Sequence, residues 1–284
     1  MITTLESTSA YIERIEQWRR KTETDLRAPD SYLSLTGLFE LSDGVYTIGS
    51  AATCEVLLPA SAPAQLGSLT VAGKRVHLAV QTDAPVLIAG QVVREADLDD
   101  DGDGAKTPTK VTLGTITFFV HSYGDKMAIR VKDSANPAIR NFGGRVWFPV
   151  KSEYRVAGRF VPHAAPQKIQ VESVVDTLIE YHSPGIVMFE LQGRPMHLLV
   201  TDQRANKLGI ILRDATAGQH TYGAGRFLTI ETDDDLNADV DFNQAYSPPC
   251  AFTDYATCPL PPRENILPIA IEAGELYIKH DDLE

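Results

Sequence analysis

Apolar side chains at Tyr11, Ile12, Ile15 and Trp18 recur at intervals of three and four, with charged residues between them and Glu16 four positions ahead of Arg20. This spacing predicts an amphipathic helix over residues 9–27, with Ser7 and Ser9 as N-cap candidates and Pro29 beyond its end. Its apolar stripe needs a sheet to lie on, and Trp18 on that stripe is a core anchor. From residue 32 the period drops to two. Short apolar runs at 45–48, 54–58, 66–71, 75–80 and 86–93 are broken by Gly, Pro, Asp and Ser, and Ile116, Phe118 and Val120 alternate opposite Met127, Ile129 and Val131. Strands with close turn signals and no helix between them predict an antiparallel sandwich or barrel over residues 32–133. A second β series follows in 134–284, with hairpin turns expected at His182–Gly185 and Gln192–Arg194. Successive hairpins predict a sheet that curls into a barrel or half-barrel. Pro248, Pro249, Pro259, Pro261, Pro262 and Pro268 then exclude a regular central strand and mark an ordered loop. The fold class is therefore mostly β, with an N-terminal helix over 1–31 and two β domains.

Composition narrows the function classes. At 284 residues the chain is long enough for two cores, and 43% hydrophobic with 23% charged residues is ordinary for a globular protein. A net charge of −12 repels phosphate backbones, so no nucleic-acid partner is expected. No apolar run reaches the roughly 18–20 residues of a membrane helix, and the first 30 residues carry charge where a signal peptide would be apolar. Three cysteines, Cys54, Cys250 and Cys258, do not make an evenly paired framework. A cytoplasmic protein with no membrane partner is the resulting expectation.

Four patterns bear on chemistry. Asp99, Asp101, Asp103 and Gly104 open like a calcium loop, but Lys110 stands where the closing Glu belongs, and an acidic hairpin tip is the alternative. Cys250 and Cys258 are spaced too widely for a zinc knuckle, His220 and His280 can join them only through folding, and two buried or loosely paired thiols are the alternative. Gly223 and Gly225 ahead of Arg226 form either an anion-binding turn or a plain β-turn. Asp239, Asp241 and Asn243 alternate with Val240 and Phe242, so one strand face presents two carboxylates and an amide. Tyr246, Asp254, Tyr255, Glu264 and Asn265 follow on the Pro-stiffened loop. A carboxylate beside Arg140, Arg213 or Arg226 is a candidate acid or base, and a structural ion-pair network is the alternative. No metal and no cofactor is assigned.

Asp133, Ser134, Asn136, Pro137, Arg140, Phe142, Gly144 and Trp147-Phe148-Pro149 resemble the opening signature of domain-of-unknown-function family 1684. Thr221-Tyr222-Gly223, Gly225, Arg226 and Phe227 resemble its middle motif, and the stretch from Asp241-Phe242-Asn243 through Tyr246, Pro248-Pro249-Cys250, Cys258-Pro259 and Glu264-Asn265 to Ala273-Gly274-Glu275 resembles its closing one. The resemblance spans roughly residues 130–275 and implies kinship without an activity. In the first domain, Gly44-Val45-Tyr46-Thr47-Ile48-Gly49 and Cys54–Pro59 resemble the start of a forkhead-associated sandwich. Ser50 stands where that family has its phosphate-binding Arg, and its Ser-x-x-His is absent from 61–67, so a phosphothreonine peptide is not expected as partner.

The site expected from these patterns lies in the second domain. Asp133, Arg140, Trp147, Tyr222, Arg226, Asn243, Tyr246 and Asn265 are the candidate contacts of a small polar ligand such as a sugar or anion, held in the mouth of the curled sheet. Asp241 and Glu264 are the candidate catalytic carboxylates for hydrolysis or isomerisation. The alternative is a non-enzymatic module that uses the sandwich to bind a protein partner.

Overall fold

The computed structural model describes residues 6–102 and 104–278. Asp103 and His280, candidates above for calcium and zinc, lie outside the described residues. The chain divides into two compact units: Asp25–Phe142 with Phe252–Ala256, and the remainder, which comprises the chain up to Thr24, Gly143–Ala251 and Thr257 onward. The division falls after Phe142 and not after Asp133. Residues beyond Asp133 turn back through a one-turn helix, Pro137–Asn141, and Phe142 buries with Leu26 and Leu33. The Asn136 amide locks that return by donating to the carbonyls of Leu33 and Leu35 at 2.8 and 3.2 Å.

The described residues of the N-terminal unit form eleven strands: β1 (Leu35–Leu41), β2 (Gly44–Gly49), β3 (Val56–Leu57), β4 (Gly67–Ala72), β5 (Arg75–Val80), β6 (Leu87–Ile88), β7 (Gln91–Val92), β8 (Glu95–Leu98), β9 (Val111–Leu113), β10 (Ile116–Tyr123) and β11 (Lys126–Asp133). They form a five-stranded sheet, β3-β2-β4-β5-β8, and a six-stranded sheet, β1-β11-β10-β9-β6-β7. The two inner faces share one core, with Ile48, Leu69 and Leu78 from the first sheet and Phe118, Ile129 and Val131 from the second. Alternation in β10 and β11 thus performs as the sequence pattern requires.

In the C-terminal unit, β13 (Arg155–Glu172), β14 (Leu178–Leu191), β15 (Arg194–Leu199), β16 (Asp202–Arg204), β17 (Lys207–Leu212), β18 (Arg226–Thr232) and β19 (Asn237–Asp241) follow the short β12 (Val146–Trp147). Their sheet order is β15-β14-β13-β19-β18-β17-β16, and β12 pairs separately with β20 (Glu275–Leu276). The sheet curls without closing into a barrel. Its interior is filled by Phe160, Phe189, Leu198, Leu228 and Phe242, and by Leu267, Ile269, Ile271 and Ala273 of the closing segment. Gln192 and Gly193, with φ of 55° and 72°, make the expected two-residue turn. His182–Gly185 is not a turn: β14 runs straight through it. Opposite, residues between Pro162 and Gln167 bulge out of register, which accommodates Pro162, Pro166 and Pro184 in a long hairpin. Gly185 is required there because a Cβ would lie 2.4 Å from the Val161 carbonyl oxygen.

Helix α1 (Thr8–Leu26) begins where expected, with the Ser7 hydroxyl accepting from the Ala10 N–H at 3.2 Å. Tyr11 and Ile15 are buried and Ile12 faces outward. Among the described residues no helix is long and apolar enough to cross a membrane.

Candidate ligand-binding site

Most of the polar residues singled out in the C-terminal unit are consumed by protein partners. Arg226 enters the core because Gly225, at φ +104°, turns the chain where a Cβ would meet the Leu212 carbonyl. Its guanidinium donates to Asp214 at 2.7 Å, to the Ile271 carbonyl at 3.2 Å and to the Ala273 carbonyl, leaving Nε as its single unpartnered nitrogen. Asp214 in turn accepts from the Thr216 N–H and hydroxyl at 2.9 and 2.7 Å and from the Ile271 N–H at 3.1 Å. Gly223 and Gly225 belong to a turn closed by the Gly225 N–H on the Tyr222 carbonyl at 3.0 Å. That geometry is the plain β-turn.

Asn265, fully buried, replaces a rung of sheet. Its carboxamide accepts from the Leu199 N–H at 2.6 Å and donates to the carbonyls of Leu199 and Ile211 at 2.9 and 2.8 Å, so it fills the seam between β15 and β17. Asp241 and Asn243 face α1: Tyr11 donates to Asp241 at 2.9 Å, and Asn243 donates to the Tyr11 oxygen at 2.8 Å and to the Lys151 carbonyl at 2.9 Å. Burial, and then the adjacent Asp241 carboxylate, push the Tyr11 phenol well above its usual range. Asp239 is taken by Arg155 at 2.7 Å. The face with two carboxylates and an amide is thus the seat of the helix.

Trp147 and Tyr246 pack against Trp18, with ring centroids 5.5 and 6.3 Å away. Tyr222 donates to the Cys250 carbonyl at 2.9 Å. Beside Tyr246, Arg145 pairs with Glu275, whose carboxyl is raised by burial although Arg145 and the Ser247 N–H at 2.8 Å oppose the shift. Glu264 stands exposed on a one-turn 3-10 helix and has no hydrogen-bond or ion-pair partner among the described residues. Asp133 and Arg140 belong to the N-terminal unit, where Asp133 caps the Ala135 N–H at 2.9 Å and Arg140 is exposed. The ten candidates therefore do not assemble around one cavity within either unit.

A cavity of about 410 Å³ does open in the N-terminal unit, on the outer face of the six-stranded sheet. Register places Thr112, Thr117 and Lys132 in one row across β9, β10 and β11, with Phe119 on the next outward position of β10. Val111, Phe118 and Val131, their chain neighbours, fill the core on the other face, which fixes the row outward. The loop after β8 forms a wall, adding Lys106, Pro108 and Lys110, and Pro29 and Asp30 form another. Lys132 Nζ donates to the Asp30 carbonyl at 2.5 Å, and burial draws its ammonium below the usual lysine range. Lys106 and Lys110 are exposed and have no ion-pair partner among the described residues.

This wall is the loop with the calcium-like spacing, and the carboxylates of Asp100 and Asp101 in it are engaged within the protein. Asp101 is buried and accepts from His121 Nδ1 at 2.7 Å and the Ser122 N–H at 3.0 Å, while Asp100 caps the Gly102 N–H at 2.6 Å. Burial opposes ionisation of Asp101, yet the His121 and Ser122 hydrogen bonds prevail and hold its carboxyl below the usual value. Among the described residues no group of three or more His, Cys, Asp or Glu side chains is arranged to hold a metal ion. Sequence inspection missed the cavity because its lysines come from three separated segments. The available signal was the outward Thr117 and Lys132 on facing strands, close to Lys106 and Lys110 in an acidic chain.

Comparison with known proteins gives a family model and solved structures. The family model described as "Protein of unknown function (DUF1684)" matches residues 140–276. An uncharacterized protein of Haloarcula marismortui, solved by solution NMR, is 34% identical over 51% of this chain and 80% of its own, with a TM-score of 0.42. No curated protein matches.

Proposed function

The chain belongs to the DUF1684 family, and because the shared region, residues 140–276, commits its buried polar side chains to internal networks, we propose that ligand binding falls to the N-terminal cavity, which takes a small organic anion. The observation that carries this is the convergence of Lys106, Lys110 and Lys132 on one cavity in a chain of net charge −12. Lys106 and Lys110, with no ion-pair partner among the described residues, attract an anion, and the Thr117 hydroxyl supplies a directional donor. Phe119 and two prolines give the apolar contact that a bare inorganic ion would not use. Sugar phosphates, nucleotides and di- or tricarboxylates have this mixed character. A phosphothreonine peptide fits less well, since the Ser50 hydroxyl at the corresponding sandwich position is spent on the Ala62 carbonyl at 2.8 Å.

The test is a thermal-shift and calorimetric panel of these anions on the wild-type protein, Lys110→Glu and Lys132→Met. A ligand at 100 times its dissociation constant adds about 2.7 kcal/mol of stability. The expected hit weakens with salt and is lost in both variants. A hit of undiminished strength in both variants removes the cavity from the function, and silence of the wild type turns the assignment to a protein-interaction role.

A further inference from the structure

Cys250 and Cys258 have no part in the anion cavity, yet the fold brings them together. The 3-10 turn Pro249–Ala251 presents Cys250, and after a short loop the chain returns so that the Cys250 N–H donates to Cys258 Sγ at 3.2 Å. Both backbones are pinned. The Cys250 carbonyl accepts from Tyr222 at 2.9 Å, and the Cys258 carbonyl from the Val174 N–H at 2.9 Å. Cys258 is buried and Cys250 half-buried, and neither is in a disulfide. The hydrogen bond from the Cys258 thiol outweighs burial and lowers the Cys250 thiol below its usual range, which favours thiolate at the more accessible sulfur.

We propose that Cys250 and Cys258 form a redox-modification site, in which Cys250 reacts with a hydroperoxide and Cys258 resolves the product into an intramolecular disulfide. The Cys250 thiolate attacks the distal peroxide oxygen and the O–O bond breaks. Cys250 becomes a sulfenic acid, and the departing oxygen takes up a proton to leave as water or an alcohol. Cys258 then attacks the Cys250 sulfur, the S–S bond forms, the S–O bond breaks, and hydroxide takes the Cys258 proton to leave as water. Two electrons pass from the two thiols to one peroxide. A thiol-containing reductant reverses the bond by exchange. The disulfide closes a ring around residues 251–257.

Cys54, in the N-terminal unit, serves as an internal control, its thiol donating to the Ala64 carbonyl at 3.5 Å. The full reduced chain is exposed to hydrogen peroxide, alkylated with iodoacetamide and mapped by mass spectrometry without reduction. The expected result is loss of two of the three alkylatable thiols, a single 250–258 cross-link, and recovery of both thiols with dithiothreitol. In Cys258→Ser a dimedone adduct should accumulate at Cys250, whereas in Cys250→Ser the Cys258 thiol should stay reduced under the same exposure. Circular dichroism confirms that the variants are folded. The proposal is overturned if Cys250 and Cys258 both remain alkylatable in the wild type at a dose that oxidises Cys54. It is equally overturned if the cross-link joins other partners, or if Cys258 in Cys250→Ser oxidises as fast as Cys250 in Cys258→Ser.

Discussion

In the C-terminal unit Asp214 gives both carboxylate oxygens to protein donors, and Arg226 spends most of its fork on protein acceptors. In the N-terminal unit Lys106 and Lys110 line a cavity with no anion paired to them among the described residues. The first arrangement uses charge to hold a curled sheet and its closing segment in place. Only the second leaves charge available to something outside the chain. Polar residues that cluster in sequence are therefore poor guides to a site unless their partners are known, because a buried charge must be satisfied from within.

The sharpest way to break this contrast is Asp214→Ala, which strands the Arg226 guanidinium in the core. Chemical denaturation should show a loss of about 3–5 kcal/mol. A near-neutral result would mean that Arg226 is not the internal brace described above. Tyr11→Phe comes next, since it removes the hydroxyl shared by Asp241 and Asn243. The expected loss is about 1.5–3 kcal/mol, with α1 amides exchanging faster by hydrogen–deuterium exchange.

Two buried carboxyls, Glu275 in one unit and Asp101 in the other, should also respond to pH with opposite signs. Glu275 has a folded value raised above 4.5, so its native state binds more protons than the unfolded chain, and stability is lost as pH rises from 4.5 through the folded value. Asp101 has a folded value depressed below 3.8, so its contribution is complete above 3.8 and is lost as pH falls through the folded value. Carboxyl carbon NMR titration checks both directions, and the Ser247 and Ser122 amides, bonded to these carboxylates, report each locally. Glu275 titrating at or below its ordinary value would undo the contrast. The smallest effect belongs to Lys110→Ala, which should change stability by no more than about 0.5 kcal/mol while weakening anion binding. A loss of several kcal/mol would make Lys110 structural.

Much of the fold was legible because period and punctuation agree. Tyr11 and Ile15 fall on the buried face of α1, and Ile129 and Val131 on the inner face of their strand. Pro and Gly misled at 182–185, where a bulge on the facing strand absorbs what looked like a turn. The Asp239–Asp241–Asn243 face was legible as polar and not as occupied, because Tyr11 lies 230 residues from Asp241 in the chain. Family membership was legible from motifs 221–227 and 241–275. The cavity was not, since Lys106, Lys110 and Lys132 meet only once β9, β10 and β11 are in register.

Asn265 carries one more consequence. A strand edge with free N–H and C=O groups is a template for another chain, and proteins normally blunt it with a charge, a proline or a neighbouring strand. Here one carboxamide covers Leu199 and Ile211, while the backbone on either side of it exchanges hydrogen bonds with Arg213 at 3.0 and 2.7 Å. A chain cut before this residue would lose the plug of its seam together with Leu267, Ile269, Ile271 and Ala273 of the core, so an open strand edge and an emptied interior would arrive at once and self-association would follow unfolding.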